Sequence, residues 1–237
     1  MYSEVSLMEI NNLDNWANAA TIYAEAKGDN IYSCFCKSFA DEYFSNVRGL
    51  RLLDAGCGDG EYTEMFRLKD ADATGCDSST AVIAAAKSKY PLCTFDVVDL
   101  TSVFPYNDNS FDAVFSNLVF MDIDPLEKSI EEISRVMKLG GKLFFSIVHP
   151  AFYPGDWGRD KLGKITHKKI MSYISHKPSE VVWATQPVLH YHRPISFYFN
   201  LLAQNGFLFS QMYEPEVYEE AKIPDIPLFL FSEFIKG

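Results

Sequence analysis

Short, continuously apolar runs alternate along this chain with stretches whose apolar residues recur at helical spacing. Residues 10–45 read as helical, with Trp16, Ala20 and Tyr23 on one face. GLRLLDA (49–55) is the first strand-like run, and beyond its glycines Tyr62, Met65 and Phe66 mark a helix face. Further strands are predicted at 73–77, 93–98, 111–117 and 142–148. The helix after the second opens on a serine N-cap in SSTAVIAAAKSKY. Asp124 and Pro125 look like the cap and first turn of another helix, with Ile130, Ile133 and Met137 on one face and Gly140-Gly141 as its end. A last helix is expected from Pro194 to Gly206, with Ile195, Tyr198, Phe199 and Leu202 together, and apolar runs at 207–213 and 227–235 finish the pattern.

Runs that are apolar throughout, rather than alternating, suit parallel strands buried on both faces. Repeated strand–helix–strand units with right-handed crossovers give a doubly wound α/β sheet. In such sheets ligands bind beyond the carboxyl ends of the strands, so the residues just after each strand are the ones to inspect.

The stretch LLDAGCGDG (52–60) follows the first strand. A dinucleotide fingerprint needs its third glycine at position 61, but that residue is Glu61 and the glycine is Gly60. A P-loop needs a lysine and a hydroxyl residue after the last glycine, and neither is there. Asp59 and Glu61 would also repel a pyrophosphate. The turn therefore favours a nucleotide-like ligand whose anion is not a phosphate.

Taken in order, LDAGCGDG, GCDSS, DVVDL, FPYNDNSFDAVFSN and LGGKLFFSIV resemble the class I S-adenosylmethionine-dependent methyltransferases, of the type 11 small-molecule kind, over roughly residues 45–150. The resemblance implies a Rossmann-like seven-stranded, mostly parallel sheet of order 3-2-1-4-5-7-6, the last strand antiparallel, flanked by helices. It implies S-adenosyl-L-methionine as cofactor and S-adenosyl-L-homocysteine as product. Gly56 and Gly58 would bring backbone N–H groups to the methionine carboxylate, and Asp54 would orient the turn or reach the ammonium group. Asp77, with Ser78 beside it, would accept from the ribose hydroxyls. Asp99 would meet the adenine amino group, Leu100 the ring, and Asn117 the methionine end. Simpler readings compete: Asp54 as a turn cap, Asp77 as a helix cap and Asp99 as a loop acid.

One domain over 1–237 is expected. A helical lid at 1–45 closes over the cofactor through Trp16 and Tyr23, a cofactor core spans 46–149, a substrate cap spans 150–193, and 194–237 adds the last helix and strands. All five histidines and two of three tryptophans fall between 149 and 192. His149, directly after the fifth strand, is the first candidate general base, Tyr153 a residue to orient the acceptor, and His192 with Arg193 the second candidate. A strand-end histidine bound to backbone is the competing reading. Six Lys or Arg against three acids make 151–180 locally basic, which would draw an acidic substrate, although a solvated basic loop explains it as well.

The whole chain, with 21 basic and 32 acidic residues, carries −11, which argues against nucleic acid or an anionic membrane as partner. An N-terminus with no basic start or apolar core, and no bilayer-length apolar run, predict a cytoplasmic location. The five cysteines lack metal spacing, so no metal is expected. The overall expectation is methyl transfer to a small-molecule acceptor, at N or O, by a monomer or homodimer. Alternatives are a non-catalytic S-adenosylmethionine-binding protein, an NAD-linked oxidoreductase and a protein or tRNA methyltransferase.

Overall fold

The structure, a computed structural model, describes residues 12–26, 31–153, 156–216 and 225–237. Two helices, α1 (Asn12–Ala26) and α2 (Ile31–Tyr43), lead into β1 (Arg51–Ala55), α3 (Glu61–Leu68), β2 (Asp72–Asp77), α4 (Thr80–Lys89) and β3 (Thr94–Val97). Then follow β4 (Phe111–Asn117), α5 (Leu126–Val136) and β5 (Met137–Val148). Two hairpins interrupt the alternation, β6 (Asp156–Arg159) with β7 (Ile165–Lys169) and β8 (Lys177–Trp183) with β9 (Gln186–His192). The chain closes with α6 (Ile195–Gln204), β10 (Phe207–Tyr213) and β11 (Phe229–Lys236).

The main sheet runs β10-β11-β5-β4-β1-β2-β3, which is 3-2-1-4-5-7-6 when its own seven strands are counted along the chain. β11 pairs antiparallel with both β5 and β10, while β5, β4, β1, β2 and β3 are parallel. Successive strand residues point to opposite faces, and here both faces are covered. Leu53, Val114 and Phe145 pack with Ile130, Ile133 and Leu202 on one side, while their neighbours Leu52, Phe115 and Phe144 pack with Phe44 and Phe66 on the other. That is why the strands read as unbroken apolar runs.

Three local expectations change, one being that Gly140-Gly141 does not end α5 but lies within β5. Met137 does not extend α5: it is the first residue of β5 and pairs with Phe111, and the ladder then slips before Ala113 meets Lys142. Asp124 does not cap α5, whose N-cap is Pro125 without a side-chain bond; its carboxylate instead accepts from Arg193 at 2.8 Å. Ser79 does cap α4, accepting from the Val82 N–H.

Candidate active site

At the carboxyl end of the sheet, where β1, β2 and β4 end side by side, lies a cavity of about 580 Å3. Its floor is the turn between β1 and α3. Gly56 has φ +81, and a Cβ there would come within 2.5 Å of Val119; Gly60 has φ +82, and a Cβ would meet the Phe95 ring at 2.5 Å. Any side chain at either position would be both strained and obstructed. Gly58, by contrast, has open space where its Cβ would be and lines the cavity.

The amides of this turn are already engaged. Gly56 and Cys57 both donate to the Cys76 carbonyl, at 2.8 and 2.9 Å, and Gly58 donates to Asp77 Oδ2 at 3.2 Å. The turn thus offers its open surface to a ligand rather than the free N–H groups that its glycines suggest. Asp77, whose other oxygen accepts from the Ser79 N–H at 3.0 Å, ties the turn to the start of α4 and still lines the cavity, next to Ser78. Burial raises its pKa, against the pull of those backbone donors.

Asp54 sits at the end of β1, 1 % exposed, and accepts from the Thr63 hydroxyl at 2.6 Å. Burial pushes its carboxyl up to about 7, opposed by the Thr63 bond and reinforced by the negative charge of Asp77. Asp99 spends its oxygens on its own loop, accepting from the Thr101 N–H and hydroxyl at 2.8 Å and from the Ser102 hydroxyl at 3.3 Å. It thereby fixes Leu100 on the cavity wall. Asn117 Oδ1 accepts from the Ser146 hydroxyl at 2.6 Å, which leaves the amide nitrogen as the donor this side chain can offer.

Seven carboxylates line the cavity, and among the described lining residues there is no Lys, Arg or His. Lys89 reaches Asp59 from outside at 2.6 Å and Lys37 reaches Glu61, but Asp54, Asp77 and Asp99 have no cation partner among the described ion pairs. A field of this sign favours a cationic ligand and disfavours a pyrophosphate.

α1 and the β8–β9 hairpin roof the cavity together. Asn12 Oδ1 accepts from the Leu189 N–H and the Asn15 amide donates to the Pro187 carbonyl, both at 2.7 Å. Trp16 and Trp183 line the cavity from these two elements. The Tyr23 side chain lies outside the described residues.

The histidines separate sharply. His149 is 1 % exposed, with Nε2 2.6 Å from Glu214 and Nδ1 accepting from the Ala151 N–H at 3.2 Å, and it does not line the cavity. Burial lowers its pKa, and Glu214 partly offsets this. His192 points its Nε2 at the Tyr173 carbonyl, 2.7 Å away, and is likewise outside the cavity. Neither of the two expected bases lines the cavity. Arg193 is 5 % exposed and donates to the carbonyls of Phe120 and Ile123 and to Asp124, fastening the loop after β4 that forms one wall. Tyr153 and His190 face a second, smaller cavity of about 120 Å3 that shares Trp16, Leu118, Asp122 and Trp183 with the first. His190 carries no spacing motif; the position of a hairpin strand against the loop after β4 reveals it.

Residues 53–145, the stretch that builds the sheet ends and the turn, match the family described as methyltransferase domain. Over that stretch the chain is similar to a methyltransferase domain. Malonyl-(acyl-carrier protein) O-methyltransferase 1 of Coxiella burnetii is 31 % identical over 145 residues, 58 % of this chain and 49 % of that one. Demethylmenaquinone methyltransferase of Renibacterium salmoninarum is 34 % identical over 109 residues, 46 % of each chain. The chain thus spans about half the length of the curated relatives it matches. An S-adenosylmethionine-dependent methyltransferase from Mesorhizobium loti shares the fold with a TM-score of 0.75, at 24 % identity over 84 % of this chain and 96 % of that one. The matched segment ends before the two hairpins. Among the described residues, no helix is long and apolar enough to cross a membrane and no group of three or more His, Cys, Asp or Glu could hold a metal.

Proposed function

We propose that this protein transfers a methyl group from S-adenosylmethionine to a small-molecule acceptor, at nitrogen or oxygen, in the cytoplasm. The observation that carries the reading is the acid-lined cavity over the glycine turn, without a cation to receive a phosphate. When bound, the cofactor supplies an activated methyl group on a positively charged sulfur, and the surrounding carboxylates suit that charge. Asp77 would take the ribose hydroxyls with its outward lone pairs, Leu100 would lie against the base, and the Asn117 amide would reach the methionine end. Asp54 supports the turn from below through Thr63.

Holding acceptor and methyl in line could lower the barrier by roughly 7–11 kcal/mol. The roof made by α1 and the β8–β9 hairpin would exclude water while the charge disperses. The lysine-rich β6–β7 hairpin does not line either cavity, which leaves an acidic acceptor without support from the residues around the site.

Calorimetry with S-adenosylmethionine and with NADH tests the reading. Binding of the first and not the second is expected; binding of NADH alone would replace this reading with an oxidoreductase. Formation of S-adenosylhomocysteine over a panel of metabolites then separates an enzyme from a protein that only binds the cofactor.

A further inference from the structure

The second cavity borders the one over the glycine turn and shares four lining residues with it. It opens beside the first, behind Leu118, whose backbone at φ +55 ends β4 in the left-handed region and whose side chain lines both spaces. Its walls are mostly apolar, with Val148, Val181 and Val188 together with Trp16 and Trp183. The polar groups at its edge are Asp122, His190 and the phenol of Tyr153.

His190 Nδ1 lies 3.2 Å from Asp122 Oδ1, and its ring centroid is 5.5 Å from that of Tyr153. A carboxylate on Nδ1 selects the tautomer with hydrogen on that atom, so Nε2 carries the lone pair. Both partners are largely shielded, with 13 % and 11 % of their side chains exposed. Among the described residues, the titratable groups facing this ring are Asp122, from the turn after β4, and Tyr153, from the loop after β5; the charge of Arg193 bears on Asp122. The Trp16 indole N–H is buried and has no acceptor among the described residues.

From this arrangement we infer that the second cavity binds a hydroxyl-bearing aromatic acceptor, a phenol or a close relative, and that His190, oriented by Asp122, is the base that takes the hydroxyl proton. The inference rests on methyl transfer being the reaction. The balance is simple. The acceptor O–H proton passes to His190 Nε2, the oxygen lone pair forms the new bond to the methyl carbon, and the carbon–sulfur electron pair leaves with the sulfur as a neutral thioether. The imidazolium that remains is held against the Asp122 carboxylate until it releases its proton to water. A carboxylate acceptor would need no base and would meet Asp122 with like charge. A ring hydroxyl suits a mostly apolar space that His190 lines.

Spectroscopy without the cofactor tests this. 4-Nitrophenol is titrated into the protein at a pH where the free phenol is mainly protonated, with benzoate as the carboxylate control. The expected result is saturable binding with growth of the phenolate absorption band, competition by phenol, and weaker binding of benzoate. His190→Gln should bind the probe without the phenolate band, and Asp122→Asn should show a diminished band, both with unchanged circular dichroism and S-adenosylmethionine affinity within roughly threefold for His190→Gln. With an acceptor in hand, His190→Gln should lower turnover by roughly 100- to 10,000-fold. An equal phenolate band in wild type and His190→Gln, tighter binding of benzoate, or no binding of either probe overturns the assignment. Failure to bind S-adenosylmethionine would overturn the methyl-transfer reading instead, and calorimetry separates the two.

Discussion

Asp77 Oδ2 accepts the Gly58 N–H at 3.2 Å, so the acid that ends β2 also holds the turn that follows β1. One carboxylate thus fixes the floor of the cavity and faces into it. Replacing Asp77 with Ala removes a charged acceptor from both tasks. Cofactor affinity should fall by about 1.5–3 kcal/mol, the range for hydrogen bonds to charged groups. Calorimetry reads this directly. An unchanged dissociation constant would confine Asp77 to supporting the turn and capping α4.

Asp54 gives a pH dependence whose sign follows from its burial. Its carboxyl is raised from 3.8 to about 7, so between those values the folded protein holds a proton that the unfolded chain has released. Stability therefore falls as pH rises from about 4 to about 7, and the group's contribution is constant outside that window. The slope from one fully differing proton is about 1.4 kcal/mol per pH unit. Asp54→Asn keeps an acceptor for Thr63 and should flatten this part of the curve, measured by urea unfolding at a series of pH values. An identical slope in the variant would place the titration elsewhere.

His149 carries the opposite sign. Burial holds its imidazole below 6.5, so the unfolded chain gains a proton that the folded protein resists, and stability is lost as pH falls through that ordinary value. The same burial, with Glu214 on Nε2 and the Ala151 N–H on Nδ1, leaves neither ring nitrogen for a substrate. His149→Gln should lower stability by about 1–3 kcal/mol near neutral pH while leaving cofactor affinity close to wild type. A collapse of turnover at unchanged stability would return His149 to the reaction.

Much of the architecture was legible because its signals are local. The five strand ends from Ala55 to Val148 follow from apolar runs, and the misfit of Gly60 with a dinucleotide fingerprint already pointed away from phosphate. Less was visible where contacts between distant segments decide. The β8–β9 hairpin turns on Ala184 and Thr185, both at positive φ, without the Asn or Gly that usually betrays such a turn. With the hairpin unread, His190 could not be placed opposite Asp122, 68 residues earlier. His149 shows a related limit. Its place after β5 is a favoured one, but Glu214, beyond β10, claims the ring.

The roof is joined by two side chains, and this gives the last prediction. Asn12 accepts from Leu189 and Asn15 donates to Pro187, and these bonds tie α1 to β9 across more than 170 residues of chain. Each is a neutral bond worth about 0.5–1.5 kcal/mol, small against the stability of the sheet but large against the docking of one exposed helix. Asn12→Ala with Asn15→Ala should therefore leave global unfolding nearly unchanged while α1 amides exchange faster with solvent. Because Trp16 rides on α1 and lines both cavities, cofactor affinity should weaken in step with that exchange. Hydrogen exchange read by mass spectrometry, with and without S-adenosylmethionine, measures both effects on the same samples. Faster exchange with an unchanged cofactor affinity would mean that α1 covers the cavity without holding its ligand.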